Sequence, residues 1–330
     1  MASGMTKSEP AAHPRSHPWR TAFFAAVVLA ALVAGVLHFG DLKRFVEMAQ
    51  RAQPWWLLAA VGLQATTYLF LALGWSAVLR KAGKPLPLWR LFRIALVKLF
   101  IDQVVPAAGM SGNVRLVERL RAAGTPKGAA VSTLIVSVLG FYAAYAVLAL
   151  AMMVALWLQH EAKAIIVGPV TAFLAVALAV PALWLWLWKR GEDAMPHWLE
   201  KVKPLARLME ILGQAPEKLI RDRRLIARVA LWNGLIFIAD AATLAVCLRA
   251  LGGPLLPVTA FIALMAASIA VTLAPLPMGL GSFEATCTAT QAMLGVPVAA
   301  ALAATLLLRV LTLWLPLAPG LWLIRRKQRQ

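Results

Sequence analysis

Two proline–glycine breaks interrupt an otherwise apolar chain, and they resemble each other. The first reads Pro106-Ala-Ala-Gly109-Met-Ser-Gly112 and is followed by Gly124-Thr-Pro126; the second reads Pro275-Leu-Pro277-Met-Gly279-Leu-Gly281 and is followed by Gly295-Val-Pro297. The interval from Pro106 to Pro126 equals that from Pro277 to Pro297. Proline removes an amide donor and glycine permits a sharp reversal. Irregular backbone at membrane depth persists only where protein or water covers it. Matched breaks in two halves of a membrane chain therefore point to a transport site. A plain kink or tight turn in a packed bundle is the competing reading of either break taken alone.

The chain has 330 residues, of which 61% are hydrophobic and only 14% charged, with a mean hydropathy of +0.76. A soluble domain would carry nearer a quarter charged residues, so the long apolar runs belong in a bilayer. The net charge of +19 does not indicate nucleic acid, because the basic residues cluster in short loops beside apolar runs, as the positive-inside rule requires. Cys247 and Cys287 lie in apolar stretches and read as packing residues. There is no P-loop, HExxH or GxSxG motif, and the five histidines have no partner at metal-ligand spacing. No catalytic residue, metal or cofactor is expected.

The expected fold is all-α: a polytopic helical membrane protein with two broken, re-entrant hairpins in an inverted-topology repeat. Residues 1–19 read as a disordered cytoplasmic tail, 20–325 as one transmembrane domain, and 326–330 as a basic tail. A first span is expected at Thr21–Phe39, uncleaved, with a removable signal peptide as the alternative. The second opens at Pro54-Trp55-Trp56 and closes near Leu79, before the basic cluster Arg80, Lys81, Lys84, Arg90 and Arg93 that marks the cytoplasmic side. A hairpin over 88–123 follows, then a third span from Lys127 to near Leu158 and a fourth over 164–188. The polar stretch 189–228 has Trp198, Val202, Leu205, Leu208 and Leu212 at helical spacing. It reads either as an amphipathic helix on the inner leaflet or as one packed against span ends. The fifth span is expected from Val229 to Leu248, a second hairpin over 258–294, and a last span over Val298–Ile324 before Arg325-Arg326-Lys327. This layout places both termini in the cytoplasm of a cell whose inner membrane holds the protein.

Charges inside these runs are costly, roughly 2.5–3.5 kcal/mol each at a helix centre, and so require a partner or a wet cavity. Asp102, Arg115, Asp240, Glu284 and Arg309 are the candidates. Glu284 and Arg309 are expected to form a buried pair, either at a site or merely fixing helix packing. Asp240, among small neighbours, could relay protons, cap a neighbouring group or face a base. The helix starts after Gly112 and Gly281 carry partial positive charge and would attract a phosphate or carboxylate. Lys98, Arg115 and Arg119 read either as contacts to anionic headgroups or as interfacial snorkelling.

The stretch Leu99-Phe-Ile-Asp102-Gln-Val-Val-Pro106-Ala-Ala-Gly109-Met-Ser-Gly112-Asn113-Val-Arg115, with Leu120-Arg-Ala-Ala-Gly124, resembles the first motif of the lysylphosphatidylglycerol synthase transmembrane-region, or flippase-like, family. Pro277-Met-Gly279-Leu-Gly281-Ser-Phe-Glu284, with Arg309 downstream, is similar to its second motif. The resemblance covers essentially residues 20–325. It implies a membrane protein that moves aminoacylated phospholipid, or a hopanoid or isoprenoid-linked lipid, between leaflets. It also implies that Pro106, Gly112, Arg115, Glu284 and Arg309 match the family pattern. Three places depart from it. Asn113 stands where the family usually has Asp, the usual Asn near Asp102 is missing, and Ser137-Val138 occupy the place of a frequent Glu-Arg pair. The implied activity is lipid translocation without lysyl-lipid synthesis, since no aminoacyltransferase domain follows the last span.

The leading functional expectation is thus a lipid translocase whose site comprises Asp102, Pro106, Gly109, Gly112, Asn113, Arg115, Asp240, Pro277, Gly279, Gly281, Glu284 and Arg309. The alternatives are a secondary transporter of a small solute, coupled to protons through Asp240, and a membrane enzyme acting on a lipid head. Membrane lipids are the expected partners, with no nucleic acid. A second copy of the chain and enzymes of lipid synthesis are further candidates.

Overall fold

The computed structural model describes residues 53–104, 110–158, scattered helical positions between 168 and 182, 216–273 and 279–314. By its internal contacts the chain divides into Met1–Gln50 and Arg51–Gln330, and every described residue belongs to the second unit. The expected first span, most of the fourth, the segment 189–215 and the basic tail lie outside the described residues, as do Pro106, Gly109, Pro275 and Pro277.

Every regular element among the described residues is a helix. Helix α1 spans Pro54–Lys81, α2 Leu88–Val104, α3 Met110–Ala122 and α4 Lys127–Leu158. After a single turn, α5 (Glu217–Ile220), come α6 (Arg223–Ala250), α7 (Pro257–Leu273), α8 (Ser282–Met293) and α9 (Val298–Arg309). Helix α9 continues into a π-helical turn over Val310–Trp314. Three of these, α1, α4 and α6, are long and apolar enough to cross a membrane. Helices α2 and α7, with 17 residues each, reach only ~25 Å at ~1.5 Å per residue, short of a ~30 Å hydrocarbon core.

Two series of helices repeat nearly the same lengths: 28, 17 and 13 residues for α1–α3, and 28, 17 and 12 for α6–α8. The turns repeat too. Gly124 (φ 90°) and Gly295 (φ 89°) occupy the same place, and the next residues, Thr125 and Val296, donate to Leu120 O and Gln291 O at 3.0 Å in both cases. This is the left-handed glycine stop common at helix C-termini. Pro126 and Pro297 then begin the following helices at a position where the missing amide costs nothing.

The first helices of the two series, α1 and α6, pack antiparallel along their lengths. At one end the Gln53 amide donates to Ala250 O at 2.9 Å; at the other, Lys81 Nζ lies 3.2 Å from Asp222 Oδ2. Between them Phe70 stacks on Trp232, with ring centroids 5.8 Å apart. Helix α4 crosses α6 closely at Gly140, where a Cβ would come within 2.8 Å of Val229. Small residues permit such approaches between membrane helices. Each series has its own core. Trp75, Leu79, Leu91, Leu116, Leu120 and Ala130 fill the first; Leu244, Leu248, Ala260, Ala263, Cys287 and Ala301 fill the second.

Two expected boundaries are corrected. Residues 223–228, read as the end of a cytoplasmic amphipathic segment, are the start of α6. Asp222 caps that helix by accepting from the Leu225 amide at 3.0 Å, so it begins well before the apolar run. Gly112, read as the last residue of the first break, lies inside α3, which has begun at Met110.

Candidate functional site

The second break creates its local geometry with two left-handed glycines. Gly279 (φ 63°) presses against Val271 of α7, where a Cβ would approach to 2.9 Å. Gly281 (φ 83°) is the residue before α8 and leaves its amide pointing into the helix start. The Glu284 carboxylate fills that position: its Oε2 accepts from the Gly281 amide at 2.7 Å. Its other oxygen, Oε1, accepts from Arg309 Nε at 2.6 Å. One carboxylate thus satisfies a helix N-terminus and a guanidinium on a neighbouring helix. The side chains of Arg309 and Glu284 keep only 13% and 16% of their exposure.

The pair expected from sequence is therefore formed, but the helix start that was expected to attract an external anion already holds an internal one. Arg309 also lies over the Phe283 ring, 4.8 Å from its centroid, a favourable cation–π arrangement. It closes the regular part of α9, directly before the π-helical turn. Such turns interrupt the helical ladder and recur at functional sites. Alongside, the buried Gln291 amide donates to Thr305 Oγ1 at 3.0 Å and ties α8 to α9.

A cavity of about 270 Å3 opens beside this pair. Arg309 and Phe283 form one wall, Asp240 and Asn233 of α6 another, and Ser268 and Thr272 of α7 a third. Phe141 and Tyr145 of α4 and Phe237 of α6 close it with packed rings. The Tyr145 and Thr272 hydroxyls lie 3.4 Å apart. One oxygen of Asp240, Oδ1, is buried and has no hydrogen-bond partner among the described residues. Gln64 of α1 approaches both Asp240 and Tyr68, and the Gln64 Oε1 and Tyr68 hydroxyl also lack partners. An orphaned buried polar atom is rare in a native fold and marks a place where something binds or moves.

The structure thus brings Asp240 and Arg309 to one cavity, with Gly279, Gly281 and Glu284 supporting them. Among the described residues, it does not bring those next to the first break there. Arg115 is exposed and pairs with Glu118 on its own helix at 2.8 Å. Gly112 is buried and Asn113 half-buried on α3, and neither lines the cavity; Asp102 lies near the end of α2. Tyr145, Ser268, Thr272, Asn233 and Gln64 were not foreseen. The two amides, at corresponding places in α1 and α6, are the ones that polarity within an apolar run could have revealed.

Residues 23–320 match the family described as the lysylphosphatidylglycerol synthase TM region. No curated protein matches the chain.

Proposed function

Since the chain belongs to the lysylphosphatidylglycerol synthase TM-region family and is a multi-pass membrane protein, we propose that it translocates a polar-headed lipid between leaflets of the cell's inner membrane. The observation that carries this reading is the cavity joining an unsatisfied Asp240 carboxylate to the Glu284–Arg309 pair. Such a group among membrane helices is costly unless function requires it. Asp240 Oδ1 needs a donor, so the headgroup to be carried offers an amine or hydroxyl there. The aromatic walls suit the less polar neck of the lipid. A phospholipid and a hopanoid- or isoprenoid-type lipid both fit this description.

The two helix series support an alternating arrangement. Closely matching helix lengths, matching turns and an antiparallel α1–α6 pair are what an inverted-topology repeat produces. In this reading α2–α3 and α7–α8 are re-entrant hairpins entering from opposite faces, and rocking of one half against the other exposes the cavity alternately.

The test is translocation of labelled lipids in proteoliposomes, with a panel covering amine-bearing, hydroxyl-bearing and isoprenoid-linked headgroups. We expect the wild type to accelerate at least one. Asp240→Asn, which keeps the shape but weakens a charge-assisted bond, should slow it by roughly tenfold or more. Failure of the wild type to move any lipid in the panel, or full activity in Asp240→Asn, overturns the reading.

A further inference from the structure

A second, larger cavity lies far from the first in character. It has a volume of about 570 Å3 and sits where the last turns of α1 meet the first turns of α6. Arg80, Lys81, Arg224 and Arg228 surround it, against a single carboxylate, Asp222. That carboxylate is already committed, since it caps α6 and pairs with Lys81. Arg80, Arg224 and Arg228 have no ion-pair partner among the described residues. Three guanidinium groups around one cleft repel one another until an anion enters it.

The floor of the cleft decides which anion. One turn deeper, towards the middle of both helices, its lining becomes mainly apolar: Leu73 and Ala77 from α1, with Ser76 between them, and half-buried Trp232 from α6. Cations at the ends of two membrane-length helices, with an aromatic ring beneath them, are spaced for a headgroup phosphate above and acyl chains below. Arginine binds phosphate through a planar fork, and Trp sits at this depth in membrane proteins.

We propose that this cleft is a binding site for an anionic phospholipid of the surrounding leaflet, distinct from the cavity at Asp240. The lipid would neutralise the end of the α1–α6 pair and hold the two helices together there. Its failure would leave the translocation reading untouched, since no residue is shared between the two cavities.

The experiment places the full-length protein in phosphatidylcholine nanodiscs and follows its thermal midpoint as phosphatidylglycerol is added, up to about 20 mol%. The wild-type midpoint should rise. With roughly a fivefold contribution from each cation near a lipid surface, Arg224→Gln/Arg228→Gln should need about 25-fold more phosphatidylglycerol for the same rise. Arg224→Lys/Arg228→Lys should keep most of the response, which separates lost charge from lost fold. Arg90→Gln/Arg93→Gln, removing two exposed charges from α2, should respond like the wild type. The proposal is overturned by a wild type that ignores phosphatidylglycerol, or by an unchanged response in the Gln pair. Equal loss in the α2 control would show diffuse surface charge instead. An equal rise with millimolar inorganic phosphate in phosphatidylcholine alone would show a soluble-anion site.

Discussion

Replacing Arg309 by Met keeps the length of the side chain and deletes the charge that holds α8 to α9. Glu284 would then keep one of its two partners, the Gly281 amide at 2.7 Å, and lose the other at 2.6 Å. Removing one member of a buried ion pair costs roughly 3–5 kcal/mol, mostly for the stranded charge. Here both side chains retain some exposure, 13% and 16%, and the helix N-terminus still favours the carboxylate by ~0.5 kcal/mol. We therefore expect about 2–3 kcal/mol for Arg309→Met. Glu284→Gln should cost a similar ~2 kcal/mol, because the amide can still accept from Gly281 but its NH2 would face Arg309 Nε, donor against donor. The double variant strands no charge and should cost well under the sum, giving a coupling energy of ~2 kcal/mol. The measurement is chemical unfolding in mixed micelles followed by tryptophan fluorescence, over the full double-mutant cycle. A coupling below ~0.5 kcal/mol would refute the argument, since exposed pairs give values in that range. Translocation separates the two readings of the pair. If it only fixes packing, the double variant regains transport along with stability; if it belongs to the site, transport stays lost.

Two other perturbations follow from the local geometry. Gly279→Ala forces a Cβ to within 2.9 Å of Val271 at a φ of 63°. It should cost about 1–3 kcal/mol in the same unfolding assay, and Val271→Ala should restore only the steric part, because the left-handed backbone remains strained. The Asp222 carboxyl is held below its usual range by the Leu225 amide and then by Lys81. Its stabilising contribution is therefore complete above the unfolded value of ~3.9 and is lost as pH falls through the lower folded-state range. Asp222→Ala should lower the thermal midpoint at neutral pH and flatten its decline below about pH 4; an identical acid profile in the variant would contradict the assignment.

Much of the fold could be read from punctuation. Pro126 and Leu158 bracket α4 as expected, and the outer ends of α2 and α3, and of α7 and α8, fall within a residue of the expected bounds 88–123 and 258–294, because glycine and proline act locally and leave the same mark in any context. The start of α6 was not legible, since Arg223, Arg224 and Arg228 look like loop residues. The cap at Asp222, which accepts from the Leu225 amide, starts the helix ahead of the apolar run. Gly112 misled for the opposite reason: glycine without proline is tolerated within a helix when packing covers it. At the site, Glu284 and Arg309 were legible as charges in an apolar setting. Tyr145, Ser268 and Thr272 were not, because hydroxyl groups barely disturb hydropathy, and nothing local says that three different helices will turn them towards one space.

The placement of that space follows from what the first series lacks. Counted from the matched glycines Gly124 and Gly295, Asn113 stands where Glu284 stands, and Val138 where Arg309 stands. These are two of the places where the resemblance of the motifs led us to expect a departure from the family pattern. They depart together. An acid without its base, or a base without its acid, would be a stranded charge among α3 and α4; the neutral couple Asn113 and Val138 is the other consistent choice. Val138 accordingly packs against the first apolar core. With that ion pair absent from the first series, the described lining of the polar cavity comes from α4 and from α6 to α9. Two similar series of helices thus carry unequal chemistry. The first supplies packing and the long wall of α4, and the second supplies the ion pair, the orphaned carboxylate and the tight glycine turn that aims Glu284 at Arg309.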